Sequence, residues 1–171
     1  MKKRSIVVTL ALLLALGVGG FLVGCGDSGD SGNSGSGSDA GESNDVAMSY
    51  ISVDDAKAAL DANDDSYVFV DVRKAEDYAE AHIPTSVSAD MDAAKDGDKA
   101  SGEAALTSTL TDATGSSTGG DKKLVLICYS GKAYAQATTN ILSDMGATMG
   151  NVYTLEGGMA AWTEANPDDV E

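Results

Sequence analysis

The stretch from Leu124 to Met145 limits the possible folds more than any other part of the chain. It begins with the apolar run Leu124–Ile127, which is typical of a strand buried on both faces of a sheet. Turn-like residues follow Cys128, and from about Lys132 small and apolar residues recur at helical spacing until Gly146, which favours a helix end. The sequence therefore predicts a buried strand, a loop that begins at a cysteine, and a helix.

Cys128 lies between the predicted strand end and the predicted helix start. The first N–H groups of a helix lack intrahelical partners, and with the helix dipole they favour a thiolate and bind anions. The other cysteine, Cys25, belongs to the cleavage motif that closes the N-terminal leader, so Cys128 has no partner for an intramolecular disulfide. A buried structural cysteine is the alternative interpretation, but the position in this loop favours a functional thiol.

Strand-like and helix-like segments alternate over the rest of the foldable chain, and no internal repeat is visible. This alternation predicts a single α/β domain with a mostly parallel sheet and helices on both faces. The polar region 91–120 has one predicted helix near 103–110. The other predicted strands are 50–51, 67–71, 86–88 and 152–155, and the other predicted helices are 53–60, 75–81 and the segment after Gly157 and Gly158.

Three motifs follow one another in the chain. The first is VDVRKAEDYAEAHIP, which contains Arg73 and His82, and the last is LEGGMAAW at 155–162, with the cysteine loop at 128–133 between them. Together they resemble the motifs of rhodanese-type sulfurtransferases, whose loop has the pattern cysteine, two variable residues, glycine, one variable residue and arginine. The resemblance covers roughly residues 46–167 and implies a single rhodanese-like domain with about five strands.

The resemblance implies that Cys128 is the catalytic nucleophile and carries sulfur as a persulfide. The loop N–H groups would surround the terminal sulfur and stabilise its negative charge. Lys132 is the only cation of the loop and the best candidate to attract an anionic donor such as thiosulfate, although a solvated lysine is the alternative. The predicted substrate-binding residues are Tyr129, Ser130, Gly131, Lys132, Ala133 and Arg73.

Ala133 departs from the family's pattern because it stands where the loop arginine is expected. The change removes a planar group with several donors, and Lys132 cannot bind an anion in the same bidentate way. It narrows the sulfur donor from thiosulfate to persulfides, or it marks a weak enzyme. Related cysteine phosphatases have arginine six residues after the cysteine, where this chain has Tyr134, so phosphatase activity is not expected.

Other candidate site residues have simpler interpretations. Arg73, the only arginine after the leader, is expected to pair with Asp71 or a nearby acid, and contact with the donor is the alternative. His82 is expected to have a structural role in its AHIP turn rather than to act as a base. Residues 61–72 begin like a calcium loop but lack the required glycine and the final glutamate. We therefore expect no metal ion and no organic cofactor.

Residues 1–24 resemble the signal peptide of a bacterial lipoprotein. Basic residues at 2–4 precede an apolar run from Ile6 to Val23, and the run ends in LVGC at Cys25. The resemblance implies that Cys25 is lipidated and that the domain lies outside the cytoplasm, anchored to the cell membrane. An uncleaved transmembrane anchor is the alternative, since about 18 apolar residues can span a bilayer.

Composition divides the remainder into a tether, 25–45, and a folded domain, 46–171. The tether is rich in Gly, Ser and Asp and cannot build a core. Removal of the three basic residues of the leader takes the formal net charge from −16 to −19. Such a surface repels phosphate backbones, so we expect no binding of nucleic acid. We also expect a monomer that contacts the membrane through its lipid alone.

Two hypotheses of different class follow. The first is a membrane-tethered, extracytoplasmic sulfurtransferase that moves sulfur from thiosulfate or a persulfide to a thiol acceptor through Cys128. The second is a rhodanese-fold binding or redox-sensing module with little or no turnover. The intact nucleophile favours the first hypothesis, and the absent loop arginine keeps the second open. The sequence identifies neither the acceptor nor a protein partner.

Overall fold

The computed structural model describes residues 45–171. The predictions for the signal peptide, for Cys25 and for the tether up to residue 44 lie outside the described residues. Within 45–171, no helix has both the length and the apolar character needed to cross a membrane.

The described strands form one sheet in which every pairing is parallel. The order across the sheet is β1-β5-β4-β2-β3, so the strands that follow one another in the chain are joined by crossovers. This confirms the predicted α/β fold class, with the sheet parallel throughout. The five strands are β1 Ser49–Ile51, β2 Tyr67–Asp71, β3 Val87–Ser88, β4 Lys123–Ile127 and β5 Val152–Leu155.

Local signals explain where several helices begin. The hydroxyl of Ser52 accepts a 3.1 Å hydrogen bond from the Asp55 N–H and caps α1. A short 3₁₀ helix, Met149–Asn151, leads into β5. The α-helices of the described chain are α1 Val53–Asp61, α2 Ala75–Glu80, α3 Asp92–Lys95, α4 Lys99–Thr114, α5 Ala133–Asp144 and α6 Gly158–Ala165.

The sheet has a hydrophobic core on each face, because successive side chains of a strand point to opposite faces. Trp162 of α6 is fully buried in the core that α1 and α6 cover, and Leu142 of α5 is fully buried in the core that α3, α4 and α5 cover. Strand residues in the first core are Ile51, Phe69, Val125, Ile127 and Leu155. Strand residues in the second core are Val70, Leu124, Leu126 and Val152.

The region 91–120 contains more helix than the sequence predicts, since α3 and a 16-residue α4 replace the single helix near 103–110. The side chain of Asp98 caps α4 by accepting from the Ser101 N–H at 3.1 Å. Gly102 lets α4 approach its neighbours closely, because a Cβ there would lie 2.6 Å from the Cβ of Ala94. Packing therefore stabilises a helix that its Ser- and Thr-rich sequence disfavours.

Candidate active site

The carboxyl ends of β2 and β4 bring the predicted site residues together. Asp71, the last residue of β2, pairs in register with Ile127, the last residue of β4. The ladder continues one step further, since the Val72 N–H donates to the Ile127 carbonyl at 2.8 Å. Arg73 and Cys128 consequently lie just after the carboxyl ends of two neighbouring strands, which is where ligands bind in open α/β folds.

The loop after β4 wraps its backbone around the Cys128 sulfur. The Gly131 N–H lies 3.1 Å from Sγ and the Lys132 N–H lies 3.3 Å from it, and both donate. The side chain of Cys128 is buried, with 2% exposure. Gly131 has φ +70°, and a Cβ there would lie 2.9 Å from the Leu155 carbonyl oxygen, so the turn requires glycine. This arrangement stabilises negative charge on the sulfur or on an atom bonded to it.

The start of α6 holds the outer side of this loop. The Met159 N–H donates to the Cys128 carbonyl at 2.7 Å, and the Ala160 N–H donates to the Tyr129 carbonyl at 3.2 Å. These bonds satisfy N–H groups that the first turn of a helix leaves free. The approach depends on Gly158, where a Cβ would lie only 2.3 Å from the Cys128 carbonyl oxygen. The sequence shows the double glycine but not that it supports the cysteine loop.

The other loop positions face solvent. Ser130, Lys132 and Ala133 are exposed. Ala133 lines a cavity of about 380 Å³ that Lys95 and Lys99 also line. At the start of α5, where the family's loop arginine is expected, the chain therefore has a small exposed side chain beside an open cavity. The structure brings the N–H groups of Gly131 and Lys132 to the Cys128 sulfur, whereas Ala133 lines the cavity at the start of α5.

Arg73 is buried against Asp71 at the same carboxyl end of the sheet. Its Nη2 lies 2.7 Å from Asp71 Oδ2 and 2.6 Å from the Ala81 carbonyl oxygen, and its Nε lies 3.1 Å from both carboxylate oxygens. The structure places Arg73 in the structural pairing that the sequence favours. Its contact with a sulfur donor stays a prediction.

Two tyrosines beside the loop form contacts that the sequence does not predict. The Tyr129 ring lies over the Arg73 guanidinium, 5.9 Å from centroid to Cζ, and its hydroxyl donates to Asp77. Its ring meets Tyr134 edge to face at 5.2 Å, and the Tyr134 hydroxyl donates to Asp92 Oδ1 at 2.5 Å. Partial burial is the main cause that raises the pKa of Tyr129, and the hydrogen bond to Asp77 raises it further. Burial likewise raises the pKa of Tyr134, and the hydrogen bond to Asp92 adds to the effect. Both hydroxyls therefore stay protonated and donate.

The contacts of His82 and of the calcium-like segment 61–72 are those of structural residues. The His82 ring stacks on Tyr78 with centroids 4.0 Å apart, and its Nδ1 lies 2.9 Å from the Tyr78 carbonyl oxygen. The Asp64 carboxylate accepts from the Ser66 N–H at 3.0 Å, which closes a turn before β2. Among residues 45–171, no group of three or more His, Cys, Asp or Glu side chains is placed to hold a metal ion.

A parallel α/β sheet whose central strand ends in a cysteine loop of this kind defines a rhodanese-type domain. The family described as "Rhodanese-like domain" matches residues 52–165. The chain belongs to the rhodanese-like domain family. This confirms the resemblance of the three motifs at the level of the family.

Solved structures agree with this fold. An uncharacterized protein from Saccharomyces cerevisiae is 25% identical, with 72% of this chain and 97% of that chain covered and a TM-score of 0.53. The rhodanese-like domain of a protein from Anabaena sp. is 17% identical, with 73% and 80% covered and a TM-score of 0.53. A protein of unknown function from Rhodopseudomonas palustris, described as a possible tyrosine phosphatase, is 23% identical, with 69% and 81% covered and a TM-score of 0.50. No curated protein matches the chain.

Proposed function

We propose that the protein is a sulfurtransferase that acts outside the cytoplasm, carries sulfane sulfur as a Cys128 persulfide, and is held at the membrane by a lipid on Cys25. The observation that carries the proposal is the pair of N–H groups, from Gly131 and Lys132, that point at Cys128 Sγ. A persulfide places its charge on the outer sulfur, and loop N–H groups aimed inward stabilise it. The membrane location rests on the leader sequence alone.

The reaction has two nucleophilic steps. The Cys128 thiolate attacks the outer sulfur of the donor, and an S–S bond to Cys128 forms while the donor's own bond to that sulfur breaks. The leaving group is sulfite if the donor is thiosulfate, and a thiolate if the donor is a persulfide. An acceptor thiolate then attacks the outer sulfur of Cys128, and the Cys128 thiolate leaves. Neither step needs an oxidant, a reductant or a metal.

Persulfides are the donors that the site supports best. The loop has Ala133 at the position of the family's arginine, and the buried Arg73 already pairs with Asp71. Lys132 is therefore the loop side chain left to bind the sulfonate group of thiosulfate, and it is exposed. A single exposed ammonium binds a small anion weakly, because water competes for both charges. We expect transfer from a persulfide to exceed transfer from thiosulfate.

The test is intact mass spectrometry of the full chain in a Cys25→Ser background, which leaves Cys128 as the only thiol. The protein is measured before and after incubation with thiosulfate and, separately, with glutathione persulfide. We expect a gain of one sulfur atom from the persulfide, removed by cyanide and absent in Cys128→Ser. The absence of any gain from either donor, with the thiol shown free by alkylation, would contradict the proposal.

One observation supports a redox-sensing or binding module as the second candidate. Cys128 is only 2% exposed, and a buried thiol reacts slowly with bulky substrates. Such a module would be modified by small oxidants such as hydrogen peroxide but would not turn over sulfur. Repeated cycles of persulfide loading and release to an excess of thiol, counted per molecule of protein, distinguish it from an enzyme.

A further inference from the structure

Tyr129 is unusual among the side chains near the nucleophile because it is large, partly apolar and exposed. Within residues 45–171, the exposed large hydrophobic side chains are Tyr129, at 37%, and Tyr50, at 52%. Tyr50 lies on the edge strand β1, whereas Tyr129 directly follows Cys128. Exposed aromatic side chains of this kind are enriched at sites that bind other molecules.

The exposed ring is nevertheless fixed in place by three separate contacts. The hydroxyl donates to Asp77 of α2, one face lies 5.9 Å from the Arg73 guanidinium, and the ring meets Tyr134 of α5 at 5.2 Å. Tyr134 is itself held by Asp92 of α3. A ring that is already ordered loses little conformational entropy when a partner packs on it, so its exposed surface binds efficiently.

Charged groups around the ring are already engaged. Arg73 pairs with Asp71 at 2.7 Å, Lys74 pairs with Asp92 at 3.6 Å, and the Asp77 carboxylate accepts from Tyr129 itself. The ring therefore offers apolar contact rather than charge to an incoming molecule. The whole chain carries a formal net charge of −16, which repels small anionic thiols and favours neutral or basic partners.

We propose that the Tyr129 ring is a docking platform for the cysteine-bearing segment of a partner protein. This inference rests on the proposed function and names the partner of the same site. Because Cys128 is buried, the partner's cysteine must protrude from an extended segment, and a neighbouring apolar or aromatic residue packs on Tyr129. The partner thiolate attacks the outer sulfur of the Cys128 persulfide, an S–S bond forms on the partner, and the Cys128 thiolate is released.

The test uses two probes that do not require a persulfide. They are blocked peptides with one central cysteine and two lysines, identical except for tryptophan or glycine beside the cysteine, and each cysteine is activated as a 2-pyridyl disulfide. The full Cys25→Ser chain reacts with each probe, and the released pyridine-2-thione gives the rate. The Cys128 thiolate forms a disulfide to the peptide, and the pyridine thiolate leaves. We expect the tryptophan peptide to react about tenfold faster, the factor that corresponds to a good aromatic contact.

Three variants give this comparison its meaning. Tyr129→Ala should abolish the preference for tryptophan, and Asp77→Asn should reduce it because the ring loses its anchor. Tyr50→Ala, which removes the other exposed ring, should leave the preference unchanged. The small activated disulfide 2,2′-dipyridyl disulfide, which needs no platform, reports the intrinsic reactivity of the Cys128 thiol in each variant, and it should react with Tyr50→Ala at the wild-type rate.

An equal rate for both peptides, or a tryptophan preference that survives Tyr129→Ala, would overturn the inference. Faster reaction of glutathione 2-pyridyl disulfide than of either peptide would also overturn it, because it would identify a small thiol as the partner. A failure of the proposed sulfur transfer can be distinguished from a failure of this inference. It appears as a missing gain of mass with the persulfide donor, while the rates of disulfide formation can still be measured.

Discussion

The pairing of Arg73 with Asp71 shows how a single buried contact supports the site. Asp71 is fully buried and Arg73 is 6% exposed, and the guanidinium also donates to the Ala81 carbonyl. A buried carboxylate left without its partner is costly, because neither water nor another cation replaces the lost bonds. The pair therefore fixes both the end of β2 and the guanidinium on which the Tyr129 ring lies.

We expect Arg73→Met to lower the free energy of unfolding by about 3–5 kcal/mol, the usual cost of an unpaired buried charge. Urea titration followed by circular dichroism measures the change. Lys74→Met is the matched control, and loss of its exposed pair with Asp92 should leave stability nearly unchanged, because water screens the two charges. If Arg73→Met keeps its stability but loses persulfide loading, Arg73 contacts the donor and does not serve the structure.

At the residue scale, the sequence identifies some of the site and misses the rest. Cys128 and Gly131 can be identified because strand end, turn and helix start are local patterns. The bond from Tyr129 to Asp77 joins residues 52 positions apart, and the bond from Tyr134 to Asp92 joins residues 42 apart. No local pattern encodes such pairs, because they depend on how α2, α3 and α5 meet around the cysteine loop in the folded domain.

The junction between the cysteine loop and α6 is the contact between elements on which the site depends most. The N–H groups of Met159 and Ala160 bond the loop carbonyls, so the loop's own N–H groups remain available to the sulfur. Gly158 adopts φ +61° at the point of closest approach. A side chain at this position would be strained and would also push against the Cys128 carbonyl.

We expect Gly158→Ala to lower the rate of persulfide loading by about tenfold or more, because small displacements of catalytic groups have effects of that size. Loading is measured by the gain of mass with time. Gly150→Ala is the control, since a Cβ there meets nothing within 4 Å. Loading at the wild-type rate in a folded Gly158→Ala protein would show that the α6 contact does not position the loop.

At the element scale, the sequence predicts best where caps and apolar runs coincide. The bounds of β2 and β5 match their predictions, and α5 begins and ends within one residue of its own. The region around α4 is predicted less well. Its helix is stabilised by burial of Gly102, Leu106 and Leu110 against other elements, and the sequence within the helix gives little sign of it.

The charge of the whole molecule has a consequence for stability. A formal net charge of −16 on 171 residues means that negative side chains repel one another. This repulsion is stronger in the folded state, because the charges lie closer together. Salt at about 0.5 M reduces the screening length to a few ångströms. The folded state should therefore gain more from added salt than the expanded unfolded state does.

We expect the midpoint of thermal unfolding to rise by several degrees, about 1 kcal/mol of stability, between low salt and about 0.5 M sodium chloride. Differential scanning calorimetry of the full chain measures the shift. Glycerol, which is uncharged, serves as a comparison for general solvent effects. A midpoint that falls with salt would show that attractive ion pairs, such as Lys57 with Asp169, outweigh the repulsion.

The parallel order of the strands also determines when the fold can form during synthesis. β1 pairs only with β5 in the described sheet, and Ser49 lies opposite Tyr153, more than half the chain later. No strand of this sheet can pair through a short hairpin, so every pairing waits for a crossover to be completed. When β1, β2 and β3 have left the ribosome, β2 still lacks its neighbour β4, and β1 still lacks β5. The domain consequently assembles late and as a unit, once both β4 and β5 have been synthesised.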